Sequence, residues 1–544
     1  MYKNAMGRNG FNSSAYFCAM AIFAVSLFAR TAGATSTPVN VLTYHNHVNR
    51  NGLNWNETIL TPSNVAPGNF GKLFSVPVDG YVYAEPLFVS NLNIPGQGFF
   101  NTVFVATEHD SVYAIAGGGP NRGKILWKKS LTNPAGGITT ISSTQLGCTD
   151  LVPEVGITGT PVIDLTTGTL YVVAATFNSN SSTFNQHLHA LDIRTGAEKF
   201  GGPVKIAAAV PGTGYGDGGD TDGKGHVIFD AKMENQRAAL LLSGGFLYVA
   251  FSSHCDIDEY HGWVLAYDAT TLTQVGAFNS TPNGQEGGIW QSGNGPAATP
   301  SGSIFVGIGN GTFDASSNNY GDSLVKLAAR TLKVLDYFTP TDQSFLQGND
   351  LDFGTAGPLI LPFQSGPVPY ELIAAGKLPV LYVLNRANLG KYCNGCNPTD
   401  PQVVQTVTSP ELSNMFSAPA YWNGWVYQSS SGGPLLAFSL VNGKISTASP
   451  AQTSVIFTFH GSTPVISSNG STNGIAWILL TDNGAGAPAV LYAFRATDLK
   501  ELYDSAQVPG DAAGSAVKFS VPTVANGHVY VGTQTELDVY GLLH

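Results

Sequence analysis

Between residues 85 and 352 the chain carries side chains able to do acid, base or ligand chemistry. They are Glu85, then Glu108, His109 and Asp110, then Glu154 and Arg237, then His254, Cys255, Asp256 and His261. Glu286, Trp290, Gln291, Asn310, Asp314, Asp322, Asp350 and Asp352 follow. Equivalent stretches further on offer mainly hydroxyls and amides, such as Ser429, Ser430, Ser431, Asn483 and Gln534. Carboxylates gathered with imidazoles can hold a metal or move protons, and a Trp among them can stack on a planar ligand. Each also has a plainer use. Glu108 to Ser111 can form a polar turn bonded to its own backbone, and three neighbours in a tight turn cannot all face one ligand. His254 and His261 can share a transition metal with Asp256 or simply bond within their loop. Trp290 can pack as core, and Asp352 can cap its own turn.

The elements that must position these residues follow from composition. The 544 residues include 64 Gly and 31 Pro, yet 43% are hydrophobic and 11% aromatic, which excludes disorder and long helices. Only 11% are charged, against about 25% in average soluble domains. The net charge of −11 comes without any Lys/Arg cluster, which argues against nucleic acid or an anionic membrane surface as partner. Lys3 and Arg8 precede an apolar run over residues 15–29, and Ala32-Gly33-Ala34 follows, so residues 1–34 read as an export signal. The run is shorter than the roughly 20 residues a membrane span needs. Once it is removed, no stable membrane insertion is expected, and a secreted or periplasmic location follows. Cys148, Cys255, Cys393 and Cys396 remain, an even set suited to an oxidising compartment.

One grammar recurs along the rest of the chain: a small residue and Pro, a short apolar strand, a Gly turn, a second strand, then a third ending near Asp, Thr and Gly. Thr160-Pro161-Val162-Ile163, Gly168 to Val173, and Leu188 to Asp192 with Thr195-Gly196 are the clearest copy. Other first strands begin at Pro86, Pro296, Pro358, Pro419, Pro464 and Pro522, and one at Ala238 lacks the Pro. Eight copies predict an all-β, eight-bladed propeller of four-stranded antiparallel blades, spanning residues 35–544 as a single domain. Because the last copy ends at Tyr540, the ring should close by pairing with an amino-terminal strand near residues 41–44. In a propeller the loops entering each inner strand and the turns joining second and third strands open on one face. Sorted that way, the reactive residues fall at one mouth, on one side of it.

The repeat ending Leu191-Asp192-Ile193-Arg194-Thr195-Gly196 resembles that of the pyrroloquinoline-quinone (PQQ) repeat propellers, best known as quinoprotein alcohol dehydrogenases. Trp290, followed by Gly309-Asn310-Gly311, resembles the family segment whose Trp floors the quinone and whose Asn ligates calcium. Asn349-Asp350-Leu351-Asp352-Phe353-Gly354, with Leu381 to Asn388, resembles the segment carrying the catalytic Asp. The resemblance therefore implies Asp352 as general base and metal neighbour, and PQQ with Ca2+ as cofactors. Gly354 stands where lanthanide-using members carry a second Asp. The family's metal-binding Glu of the second blade and its adjacent Cys pair have no counterpart: the turn from Asn178 to Gln186 holds no carboxylate. Glu154, whose loop precedes that blade, is the expected replacement ligand.

The expected site thus has Asp352, Asp350 and Glu154 as catalytic residues. Trp290, Glu85, His109, Arg237 and His254 would contact the cofactor, and Asn310, Asp352 and Glu154 the metal. The expected activity is an exported quinoprotein-like oxidation of a small alcohol or sugar-like substrate. A cofactor-free hydrolase, lyase or isomerase using mouth His/Asp/Glu groups, and a non-catalytic scaffold, are the alternatives. Cys393 and Cys396, followed by Asn397 and not His, should form a local disulfide, and Cys148 should pair with Cys255 across mouth-side loops.

Overall fold

The computed structural model describes residues 39–482, 484 and 486–543, so the expected export signal lies outside the described residues. Eight small antiparallel sheets form a ring, an eight-bladed propeller. The second blade shows how the repeat builds one. Pro161 sits just ahead of the inner strand Val162–Asp164, where its missing N–H costs no ladder bond. The chain then turns at Gly168 into Thr169–Asn178, returns along Thr183–Asp192 and ends at Val204–Lys205. At the repeat ending Asp192 accepts the Arg194 N–H at 2.7 Å through its side chain and the Gly196 N–H at 2.8 Å through its carbonyl. Gly196 has φ +71°, and a Cβ there would strike the Trp127 ring of the preceding blade at 2.8 Å. Turn geometry and blade packing together demand that glycine.

The core lies between blades. Along Thr169–Asn178, Leu170, Val172 and Ala174 pack toward the first blade with Phe104, Val112 and Ala114. Tyr171 and Val173 point the other way, against Leu247, Val249 and Phe251 of the third. Alternation sends successive side chains to opposite faces, and both faces are covered. Such strands therefore read as unbroken apolar blocks.

The ring closes by an amino-terminal strand, but not the expected one. Phe70–Pro77 forms the outer strand of the last blade, pairing antiparallel with Glu536–Leu542. Asn40–Val41 instead adds to the inner edge of the first blade, opposite Val89 and Phe88. The intervening residues enter the centre of the ring and reach every blade in turn. Carbonyls of Leu42, Val48, Asn49, Asn51 and Gly52 accept N–H bonds from Ile163, Ala298, Ile360, Tyr421 and Ile466. Arg50 bonds the Leu240 carbonyl of the third blade, and Asn54 Nδ2 the Val524 carbonyl of the eighth. Strands 41–44 cannot pair with Tyr540 because their backbone is committed to this hub. His45 fixes the hub's own turn, its two ring nitrogens lying 2.9 Å from the carbonyls of Arg50 and Pro464. Gly52, at φ +63°, is required beside it, since a Cβ would fall 2.3 Å from the imidazole.

Both expected disulfides form: Cys148 with Cys255 and Cys393 with Cys396, at Cα separations of 5.7 and 5.6 Å. Among the described residues no helix is long and apolar enough to cross a membrane.

Candidate active site

A cavity of about 460 Å3 opens at the mouth, lined by entering loops and second-to-third turns from around the ring. Its acidic wall centres on Asp352. The Oδ1 atom accepts the Asn310 backbone N–H at 2.7 Å, and Oδ2 lies 2.6 Å from the Lys377 ammonium. Lys377 also reaches Asp350 Oδ1 at 2.5 Å. This approach needs bare backbone: a Cβ on Gly309 would meet Asp352 Oδ1 at 2.4 Å, and one on Gly376 the Asp352 carbonyl at 2.4 Å. The short helix Gln343–Gly348 braces the wall, with Gln347 Oε1 accepting the Gly311 N–H and Gln347 Nε2 donating to Glu286 at 2.8 Å. Burial pushes the Asp352 carboxyl above its ordinary range, and Lys377 opposes this without cancelling it. Burial works to lower Lys377, but Asp352 and Asp350 outweigh it and hold the ammonium above its usual value. The result is a desolvated carboxylate beside a persistent cation, an arrangement able to take a proton.

The opposite wall is aromatic. Phe416 and Phe519 stand nearly perpendicular to the Trp290 ring, at 6.2 and 5.2 Å. Phe459 and His460 extend the wall, with His460 4.6 Å from Phe519. Trp290 is set by a tight left-handed turn at Gln291 and Ser292, locked where Gln291 Oε1 accepts the Gly307 N–H at 2.9 Å. Arg237 lies at the base, its guanidinium 5.6 Å from the Tyr83 ring and 5.5 Å from Phe519. The guanidinium's one hydrogen bond among the described residues is to the Ser292 carbonyl at 3.4 Å. Lys518 faces the same space, its pKa lowered by burial. This wall therefore joins flat aromatic surface to Arg237 and Lys518, two cations that make no ion pair among the described residues.

Several expected site residues lie elsewhere. Glu154 pairs with His109 Nδ1 at 2.8 Å and accepts the Thr140 hydroxyl, and neither Glu154 nor His109 lines the cavity. The structure does not bring Glu154 to Asn310 and Asp352. Glu85 turns beneath the rim to accept the His45 N–H at 2.7 Å, so it anchors the hub, and burial pushes it up to about 8. A residue just before the inner-strand Pro sits where the chain dives inward, which is why it meets the hub. His254 is buried away from the cavity, and burial takes it down to about 4, so it is neutral at pH 7. Glu108 likewise turns inward to the Gly156 N–H and Thr158 hydroxyl. Trp290, Arg237, Asp350 and Asp352 line the cavity as expected. Asn310 is not in the lining, and its Oδ1 is buried without a partner among the described residues.

Lys377, Phe416, Phe459, Lys518 and Phe519 were not anticipated from the sequence. Four of the five lie on the last three blades, so the mouth is two-faced and not one-sidedly polar. The available signal was their position: Phe416, Phe459 and Phe519 each fall within five residues before an inner-strand Pro. The disulfide partner Cys255 also lines the cavity, with Asp256 and Tyr260 from the same turn.

No family model matches this chain, and no curated protein matches it. Solved structures do. A quinohemoprotein alcohol dehydrogenase from Pseudomonas putida HK5 superposes with TM-score 0.60 and 14% identity, over 92% of this chain and 80% of that one. The quinohemoprotein alcohol dehydrogenase of Comamonas testosteroni gives 0.60 and 15%, over 94% and 81%. A europium-containing methanol dehydrogenase gives 0.59 and 14%, over 93% and 99%. The chain thus has the eight-bladed architecture of the quinoprotein dehydrogenases, and the resemblance read from its repeats holds at the level of fold.

Proposed function

We propose that this protein is an exported oxidoreductase of quinoprotein type, oxidising a small alcohol or sugar-like substrate at the propeller mouth. The observation that carries the reading is Asp352, held between the Asn310 N–H and Lys377 in the wall of an aromatic, cation-lined cavity. A planar, anionic quinone such as PQQ fits these residues. Trp290 offers a face for stacking, and Arg237 and Lys518 offer charges for its carboxylates. For a calcium ion, the unpartnered Asn310 Oδ1 and the Asp352 carboxylate are suitable hard donors, leaving other positions to ligand and water. The bound group would supply a two-electron acceptor. Asp352 would take the hydroxyl proton, its raised pKa bringing it closer to the working pH. Lys377 would hold Asp352 in place and keep positive charge beside it, while the Phe416, Phe459 and Phe519 wall excludes water. Superposition on three quinoprotein dehydrogenases supports the reading. The His109–Glu154 pair, one acid/base couple a cofactor-free reaction could use, stands outside the cavity, while His460 in the cavity wall lies 3.3 Å from Asp482.

The test is titration of purified protein with PQQ and Ca2+, followed by quinone absorbance and Trp fluorescence. Saturable binding that Trp290→Ala weakens is expected. No binding by the wild type would end the quinoprotein reading.

A further inference from the structure

We infer that the loop between the second and third blades holds a hard divalent cation of the calcium class, bound between Asp217, Asp220 and Glu259. Ligand oxygens of these three residues all lie within 4.8 Å of one another. Asp220 supplies an observation beyond clustering. It is only 8% exposed, and while Oδ2 accepts the Tyr215 N–H and meets His261 Nε2 at 2.8 Å each, Oδ1 is buried with no partner among the described residues. A buried carboxylate oxygen without a donor costs free energy unless something positive satisfies it. Its companions here are two more carboxylates. Of the three, Asp220 alone makes an ion-pair contact among the described residues, and that is with His261.

The three candidate donors are all oxygen, with the His261 imidazole bonded to Asp220 Oδ2, and an all-oxygen set favours Ca2+ over zinc or copper. The glycine-rich loop lies flush on these groups. A Cβ on Gly219 would come within 2.3 Å of Glu259 Oε2, and one on Gly214 within 2.0 Å of Asp220 Oδ2. Bare backbone leaves room for carbonyls and water to complete the shell of six to eight oxygens that Ca2+ takes.

The position gives the cation a task. Tyr215, on the same loop, donates its hydroxyl to Asp258 at 2.9 Å and lies 3.3 Å from the Tyr260 carbonyl. Glu259 lies between those two residues. A cation joining Asp217 and Asp220 to Glu259 would therefore clamp the loop onto the turn that places Cys255, Asp256 and Tyr260 in the cavity wall. It shares no residue with the Asn310 and Asp352 pair, and it stands whether or not a quinone binds.

The experiment is calorimetric titration of EDTA-stripped, quinone-free protein with CaCl2. Asp352→Asn should keep one binding equivalent with Kd on the order of 10−5 to 10−3 M. Asp217→Asn/Glu259→Gln added to Asp352→Asn should lose it, and Ca2+ should raise the melting temperature of Asp352→Asn but not of that combined variant. Removing two like charges should leave the variant folded, with cooperative melting in EDTA as the check. If it does not fold, Glu259→Gln alone should bind at least 10-fold more weakly. The inference is overturned if Asp352→Asn takes up no Ca2+ to about 10 mM, an order above the weakest protein sites. It is equally overturned if the loop variants bind as many ions as tightly as the parent.

Discussion

Arg50→Met measures what the hub contributes to the ring. Arg50 is fully buried and makes four hydrogen bonds. Nε reaches the Pro296 carbonyl at 3.0 Å, Nη1 reaches Thr43 Oγ1 and the Tyr44 carbonyl at 2.9 Å each, and Nη2 reaches the Leu240 carbonyl at 3.1 Å. Methionine fills similar space without donors, stranding three buried carbonyls. Each stranded acceptor costs about 1–3 kcal/mol. Relief from burying a charge offsets part of this, so a net loss near the lower bound, about 3 kcal/mol, is expected. Unfolding entropy of ~2.1 cal/mol/K per residue over about 500 residues gives ~1 kcal/mol/K, so the melting temperature should fall by about 3 °C. Scanning calorimetry and urea unfolding followed by Trp fluorescence would read it. Arg50→Lys keeps the charge but not the fork, and should recover less than half the loss. A loss below about 1 kcal/mol, or full recovery by lysine, would refute the claim that these bonds hold the centre.

If the proposed function is right, Asp352→Asn should lower turnover at least about 100-fold while the melting temperature stays near wild type, since general-base catalysis of this kind contributes that much. Wild-type turnover in that variant would remove Asp352 from the mechanism. Glu85 titrates at about 8 in the folded protein against its ordinary 4.5, so the stability it contributes is complete below pH 4.5 and lost as pH rises to 8. Glu85→Gln should flatten that part of the stability profile, read from urea midpoints between pH 5 and 8. Non-reducing peptide mapping should recover Cys148 joined to Cys255, and opening this 107-residue link by Cys255→Ser should destabilise the protein by up to about 4–5 kcal/mol on chain-entropy grounds. An unchanged urea midpoint in that variant would show the link to be idle.

The blades were legible because their signals are local. A Pro before an inner strand, apolar blocks and an Asp/Thr/Gly ending are each decided within a few residues of the structure they produce. The closing strand was not, because Phe70–Pro77 belongs to no repeat, and its pairing with Glu536–Leu542 is set by three-dimensional closure. Of the residues sorted to the mouth by loop type, Arg237, Cys255, Asp256, Trp290, Gln291, Asp350 and Asp352 line the cavity. Glu85, Glu154, His109 and His254 lie outside it, because loop type gives the face of the ring and not the depth or direction of a side chain. Lys377 and the three Phe residues went unseen for another reason. In sequence, an aromatic beside an inner strand cannot be told from core, and one lysine after a strand carries no distinguishing pattern.

The hub also sets an order of assembly. Asn54 bonds a carbonyl 470 residues further along, and His45 one 419 residues away, so the earliest part of the chain is secured by nearly the last. Blades built from adjacent hairpins can form as the chain emerges, but their inner edges keep unpaired N–H groups until residues 40 to 54 thread the centre. Closing loops of that length is slow. Glu85 and Thr523, from the first and last blades, meet across the same centre. Ligand binding at the mouth should thus arise abruptly, when the eighth blade docks, and serve as a direct readout of a finished ring.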